Sequence, residues 1–344
     1  MISQTAGLVQ TVAEWTAGAE LLQVAVNDDE TRQALSYIAL TGHIHVGDRV
    51  LINTTAQHLG LGTGGYDYVI ANLTRPEMTS PGPGHIIKGR YLPCQHSIHT
   101  LEEQPEYADI WDRDLAGFPV IACELHSQIA PVIAGLMVSG HQRIVYVMTD
   151  GAALPFAFSR LAHALRVGGH LTASITCGQA FGGDHETVTL HSALLAARHI
   201  LKADGVIVAQ GPGNAGTGTR TGFSGIEQAQ ILDAAAALGG IPIAVVRSST
   251  GDKRERHRGI SHHTVTALRL THTRCIVPIP VGTDISALPT RHDIRYIDNA
   301  QSALNWLSAS GIQVTTMGRT PAADPGFFLT AAAAGMASVP AVPR

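Results

Sequence analysis

Residues 239–263 read Gly239-Gly240-Ile241-Pro242-Ile243-Ala244-Val245-Val246-Arg247-Ser248-Ser249-Thr250-Gly251-Asp252-Lys253-Arg254-Glu255-Arg256-His257-Arg258-Gly259-Ile260-Ser261-His262-His263. The two glycines stop a helix, because glycine enters the left-handed conformation at a helix C-terminus without steric cost. Ile241 to Val246 is an apolar run rich in β-branched residues, the pattern of a strand buried on both faces. The segment after it has the opposite character. Between Asp252 and His263 stand three histidines and four cations (Lys253, Arg254, Arg256 and Arg258), out of 23 Lys plus Arg in the chain. Open α/β sheets place their binding sites just beyond buried strands, where such a polar cluster falls.

The same rhythm extends in both directions. Strand-like runs lie at Val120–Cys123, Ile144–Met148, Thr172–Thr176, Val206–Ala209, Ile241–Val246 and Cys275–Ile279. Between them, Leu154, Phe158, Leu161 and Leu165 fall on one helical face, and Leu190, Leu194, Ala197 and Leu201 repeat that spacing. Ser224-Gly225-Ile226-Glu227 has the form of a capping box, which starts a helix at about Gly225. Leu329 to Val339 reads as a final Ala-rich helix. Strands and helices alternating at this spacing mean parallel βαβ units. The expected class is therefore α/β, a mostly parallel sheet covered by helices on both faces, over residues 118–344.

Residues 1–75 read differently. Leu21–Val26, Ala34–Ala39, Arg49–Asn53 and Tyr66–Ala71 are short strand candidates separated by turns such as Asn27-Asp28-Asp29. They suggest a small β barrel, with a glycine loop, Leu59 to Gly65, before its last strand. Residues 76–117 form a linker or crossover, rich at its start in Pro76, Pro81, Gly82, Pro83 and Gly84.

Composition narrows the partners. The net charge of −4 provides no global basic field, so neither nucleic acid nor an acidic membrane is an expected partner. Four widely separated cysteines, with no Cys-x-x-Cys pair, argue against a structural zinc site. The start of the chain has no signal-peptide pattern, and no apolar run reaches the roughly 18 residues that cross a bilayer. The expected home is the cytoplasm.

The polar segments of the second half each come after a strand: Glu124-Leu125-His126-Ser127, Thr149-Asp150-Gly151, Cys177-Gly178-Gln179 leading to Gly182-Gly183-Asp184-His185-Glu186, Gln210 to Gly222, and Arg247 to His263. In a parallel sheet these ends share one edge and converge in space. Asp150 and Ser127 also fit simple helix caps. Gly211-Pro212-Gly213-Asn214-Ala215-Gly216 matches G-x-G-x-x-G literally, but the expected helix begins well beyond Gly216, which argues against NAD. The segment still reads as a backbone N–H cradle for an anion before a helix. Asp184-His185-Glu186 with His191 is not a zinc-protease helix, since histidines six apart point about 120° away from each other. A divalent metal held by Asp184 or Glu186 together with other loops stays open. Cys177, alone at a strand end, reads first as packing and second as a nucleophile.

Together these segments resemble the proteins of "domain of unknown function 3866". The residues that carry the likeness are Asn53-Thr54-Thr55-Ala56 with Leu61 to Tyr66, Thr149 to Pro155, Cys177 to Gly183, Gly211 to Gly218, and Arg254 to His263. The likeness spans about residues 10 to 320. It implies a bacterial cytoplasmic protein and supplies no activity.

The residues themselves lead to an enzyme, a hydrolase or transferase, acting on a small anionic molecule at the C-terminal edge of the sheet. Arg254, Arg256 and Arg258, with Gln179 and the loop residues Gly213, Asn214, Gly216, Thr217 and Gly218, are expected to hold the anion. His262 or His263, with Asp150 and with Glu124 or His126, would move protons. The first alternative is a non-catalytic ligand-binding or scaffold protein that docks through Leu59–Gly65 and Gly211–Gly222. The second is a metal-dependent hydrolase. Low charge and apolar strands are compatible with a homo-oligomer whose order the sequence does not fix.

Overall fold

Alternation of apolar and polar residues near the N-terminus closes into a five-stranded barrel: β1 (Gln4–Thr16), β2 (Ala19–Ala25), β3 (Thr31–Tyr37), β4 (Arg49–Asn53) and β5 (Asp67–Asn72), in the order β1-β2-β3-β5-β4. The computed structural model describes residues 2–61, 64–79 and 82–338. Gly62 and Thr63 of the glycine loop, Pro81 of the Pro/Gly stretch and Val339 of the expected last helix lie outside the described residues. Two compact units divide the chain. The first runs to His99 and also takes Ala157–His163; the second takes Thr100–Phe156 and the chain from Ala164 onward.

In the first unit, β1 pairs antiparallel with β2 along one part and with β4 along another. Its ladder with β2 is interrupted between Val9 and Thr11 and again between Glu14 and Thr16. Such bulges bend a strand and let one segment serve two neighbours of a closed sheet. Val9, Leu22, Val24, Ala34, Ile44, Val50, Ile52 and Val69 fill the interior. The short helices α1 (Ile38–Thr41) and α2 (Thr55–His58) connect barrel strands, and β6 (Ile86–Lys88) pairs with β7 (His96–Ile98) as a hairpin. All four strand candidates are strands, with bounds within a few residues. The long β1 is an addition to them.

The second unit holds β8 (Pro119–Ala122), β9 (Ile144–Thr149), β10 (Ala173–Thr176), β11 (His185–Glu186), β12 (Gly205–Gln210), β13 (Ile241–Ala244), β16 (Ile276–Pro280) and β17 (Asp293–Ile297). They form one sheet in the order β11-β10-β9-β12-β8-β13-β16-β17, and every neighbouring pair is parallel. The six expected strands are its centre, and β11 and β17 are added at the edges. β14 (Ser248–Ser249) and β15 (Gly259–Ile260) make a separate small ribbon.

The helices are α3 (Ile129–Val138), α4 (Arg160–Val167), α5 (Leu190–His199), α6 (Glu227–Ala237), α7 (His262–Leu270), α8 (Gln301–Ala309) and α9 (Pro325–Met336). Val120, Ala122, Val145, Val147, Val206 and Val208 point to one face, where they pack with Leu194 of α5, Ile231 and Leu232 of α6 and Leu268 of α7. The alternate residues, Ile121, Tyr146, Met148 and Ile207, are buried as well. The sheet is therefore covered on both faces, with α3, α8 and α9 packed together on the second. Among the described residues no helix is long and apolar enough to cross a membrane.

Three local expectations change. The helix suggested by Leu154 to Leu165 begins only at Arg160, after a 3-10 turn over Phe156–Phe158, and Ser159 Oγ accepts from Ala162 N at its start. His185 and Glu186 form the edge strand β11, so neither belongs to a helix start. Glu227 does not close a capping box, because its carboxylate is taken by Thr149; the helix starts at Glu227 after a 3-10 turn over Ser224–Ile226.

Helices α3 and α9 cross at two glycines. A Cβ on Gly135 would stand 2.1 Å from Ala332 O, and a Cβ on Gly335 would stand 2.1 Å from Val132 O. The backbones touch, and no side chain fits between them. We expect Gly335→Ala to lower stability by about 1–3 kcal/mol, the usual cost of overpacking. Ser308→Ala on an exposed position of α8 should change it by no more than about 0.5 kcal/mol. Urea unfolding of the two variants checks this, and equal midpoints would contradict the close crossing.

Candidate functional site

The sheet topology selects the place. From β8 the chain moves to β9 and β10 on one side, and from β12 it moves to β13, β16 and β17 on the other. β8 and β12 are neighbours, yet α3, which comes after β8, and α6, which comes after β12, lie on opposite faces. The chain therefore leaves their C-terminal ends toward opposite faces, which is the arrangement of a topological switch point. Glu124 and Gln210 stand there, and Gln210 Nε2 bridges the strands by donating to Glu124 O at 3.0 Å.

The Glu124 side chain is buried, 1% exposed, between two partners. Its Oε1 accepts from an Arg247 guanidinium nitrogen at 2.8 Å and lies 2.8 Å from Nδ1 of His263. Burial opposes the charge, but the His263 bond and the Arg247 cation outweigh it and hold the carboxyl below its ordinary range. Phe223 stacks flat on His263, with ring centroids 3.6 Å apart. His263 opens α7, whose N-cap is Ser261, accepting from His263 N. His257 and His262 complete a triangle of rings, with centroids 4.4 to 5.1 Å apart. Burial first, then Arg247 and Arg254, push His257 down to about 3. Burial, His263 and Arg256 lower His262 too. Both are neutral near pH 7 and keep a ring lone pair.

A second titrating group lies on the other side of Gln210. Glu227 Oε1 accepts from Thr149 Oγ1 at 2.6 Å. A Cβ on Gly151 would stand 2.7 Å from Glu227 Oε2 and 2.9 Å from Gln210 Oε1, so these two oxygens flank one point. Gln210 Oε1 is itself buried without a hydrogen-bond partner. Burial pushes Glu227 up to about 7, with the Thr149 bond opposing and Asp150 adding to the rise. A carboxyl that titrates near neutrality can both give and take a proton. Asp150 Oδ2 accepts from Gln179 N at 2.8 Å, so it is not the helix cap the sequence also allowed.

The expected residues separate into groups. Asp150 touches Gln179 and acts on Glu227, while Gln210 joins Asn214 to Glu124, and Glu124, His263, Phe223 and His262 follow in contact. Asn214 Oδ1 accepts from Gln210 Nε2, Ser224 Oγ and Gly225 N, and so holds the loop together. In that loop Thr217 N is bonded to Gly222 O and Gly222 N to Thr219 Oγ1, so part of the expected N–H cradle is closed on itself. Gly213 and Gly218 have positive φ and Gly216 bridges to Phe223. Arg254 is held by both oxygens of Asp252, and Arg258 Nε donates to Asp252 O. Arg256 is the arginine that reaches the loop: a Cβ on Gly218 would stand 3.2 Å from its guanidinium. His126 lies 3.2 Å from the Tyr146 hydroxyl, and burial pushes it down to about 4. Asp184, a metal candidate, is bound by Arg166 and Ser174, and Glu186 accepts from Thr176. Cys177 is a buried thiol whose Sγ lies 3.6 Å from Met148 O.

Sequence reasoning passed over Glu227, Arg247, His257 and Gln210 as site residues. Glu227 was absorbed by the capping reading. Arg247 and Gln210 carried a usable signal, being the first polar residues after buried strands.

A parallel sheet with buried charged groups beyond the ends of its central strands, in a chain that also carries a small closed barrel, defines an α/β protein. The chain belongs to the family described as Protein of unknown function (DUF3866), whose model matches residues 33–335. No curated protein matches it.

Glu227 sets a pH test. Its folded-state pKa lies above the unfolded value of 4.5, so its contribution to stability is complete below pH 4.5 and is lost as pH rises through about 7. Asp150 and the Tyr146 hydroxyl are the charged or titratable groups around it. Glu227→Gln should remove a pH-dependent term on the order of 3 kcal/mol over that window. Stability curves at pH 4.5 and pH 8 for both proteins measure it, and an unchanged difference would count against a raised Glu227.

Proposed function

We propose that the second unit is an enzyme, a hydrolase or transferase, that acts on a small anionic molecule at the C-terminal edge of its parallel sheet. The observation that carries this reading is the pairing across Gln210 of two different proton-handling groups. Glu227 titrates near neutrality on one side, and the Glu124–His263 pair stands on the other. Pairs of groups whose surroundings separate their pKa values are the usual basis for assigning acid and base roles. Arg256, set against the Gly218 turn, provides the positive charge for the anion. Glu227 then gives a proton to the leaving oxygen or takes one from the attacking group. Asp150 tunes it.

The test has two stages. Purified protein is screened by thermal shift against phosphorylated and carboxylated metabolites, and ligands that stabilise it are assayed for turnover. Ligand at 100 times its Kd adds about 2.7 kcal/mol, a shift easily read. Arg256→Ala should lose the stabilisation. Glu227→Gln should keep it while turnover falls by roughly 10²- to 10⁴-fold. Binding without turnover in the wild type supports the ligand-binding alternative. Full turnover in Glu227→Gln removes the catalytic role.

A further inference from the structure

We infer that His257, His262 and His263 form a binding site for one divalent transition-metal ion of the zinc type, with three imidazole ligands and room in the coordination sphere for water or a substrate oxygen. One nitrogen from each ring lies within 4.8 Å of the other two. Metal–nitrogen bonds of about 2.0–2.1 Å place ligand nitrogens of a tetrahedral site roughly 3.4 Å apart, so the rings close by about an ångström on binding. Two observations favour this over a chance cluster.

The first is the hydrogen bonding of the rings. Nδ1 of His263 is held by the Glu124 carboxylate, and Nδ1 of His257 lies 2.7 Å from Ser261 Oγ. Metal-binding histidines characteristically give their second nitrogen to a carboxylate or another polar group, which fixes tautomer and orientation. The arrangement leaves Nε2 of His257 and of His263 as the nitrogen with a lone pair to offer. The second is His262, whose Nε2 is shielded from solvent and has no hydrogen-bond partner among the described residues. A shielded imidazole nitrogen without a partner costs free energy, and a metal would satisfy it.

The opposing charge is limited. Arg247 is offset by Glu124 and Asp252, and Arg254 by Asp252. Arg256 makes no ion pair with a carboxylate among the described residues. Its Nε lies 3.4 Å from His257 Nε2, a long contact that a metal would displace. Moved aside, Arg256 adds its charge to the ion's, and the two together suit an oxyanion. Imidazole donors suit zinc, copper, nickel and iron, and three such ligands are a frequent catalytic zinc set.

The site is tested without any substrate, so its outcome is separate from that of the enzymatic reading. Chelator-treated protein is dialysed against micromolar zinc and its metal content measured; a parallel sample with cobalt is read by visible absorption. We expect one equivalent per chain and a cobalt spectrum without thiolate charge-transfer bands. His262→Ala and His257→Asn should each lose that equivalent while keeping the wild-type circular dichroism spectrum and cooperative unfolding. His43→Ala with His45→Ala, exposed on the first unit, should retain it. No uptake by the wild type, or uptake that survives both cluster variants, overturns the inference.

Discussion

The buried carboxylate of Glu124 is the point on which the sheet edge depends. It stands just after β8, yet its partners come from elsewhere: Arg247 beyond β13, and His263 and Thr264 at the start of α7. A carboxylate with almost no solvent contact keeps its charge only through such partners. Removing one of them leaves the other charge buried alone, at a cost of about 3–5 kcal/mol. Three segments distant in sequence are thereby fixed to one another. Phe223, lying flat on His263, brings in a fourth, the end of the loop after β12.

The topology places this buried carboxylate at the switch point of the sheet. β8 and β12 are central neighbours whose helices lie on opposite faces, so the chain leaves their shared end in two directions. Gln210 spans the gap, tying Glu124 O to Asn214 Oδ1 through one amide. On the far face α3 and α9 must lie close enough to seal the sheet, and Gly135 and Gly335 let their backbones meet.

Much of the fold was legible because buried parallel strands have a simple signature. Ile144–Thr149 and Gly205–Gln210 are fully buried runs, and such runs stand out in any sequence. β1 did not stand out. Its bulges break the two-residue alternation, Leu8 is 52% exposed, and Gly7 lies against β2 where a Cβ would strike Val24 and Ala25. The edge strand His185–Glu186 is too short to carry any pattern. In the site, the convergence of polar loops could be read from strand polarity alone, but the assignment of roles within them could not. Whether an arginine is free or engaged depends on a partner such as Asp252 two residues away, and on Arg319 and Asp324 much further along the chain. Glu227 looked like a cap because its spacing from Ser224 fits one; only the position of Thr149 reveals another use.

Asp252 also changes what the basic run does. The Arg254 bond holds its carboxyl well below the usual range, with Arg319 adding to the effect. Part of the run's positive charge is thus engaged inside the loop, where Arg254, Arg247 and Arg319 surround Asp252 in a scaffold of ion pairs. That scaffold carries the histidine triangle. Cations close by make protonation of His257 and His262 harder, and burial acts in the same direction. The loop therefore combines one tethered arginine, Arg254, with imidazoles that burial and nearby cations keep neutral. Arg256 differs from Arg254 in being set against the Gly218 turn, with no carboxylate ion pair among the described residues, so its charge is not offset inside the run.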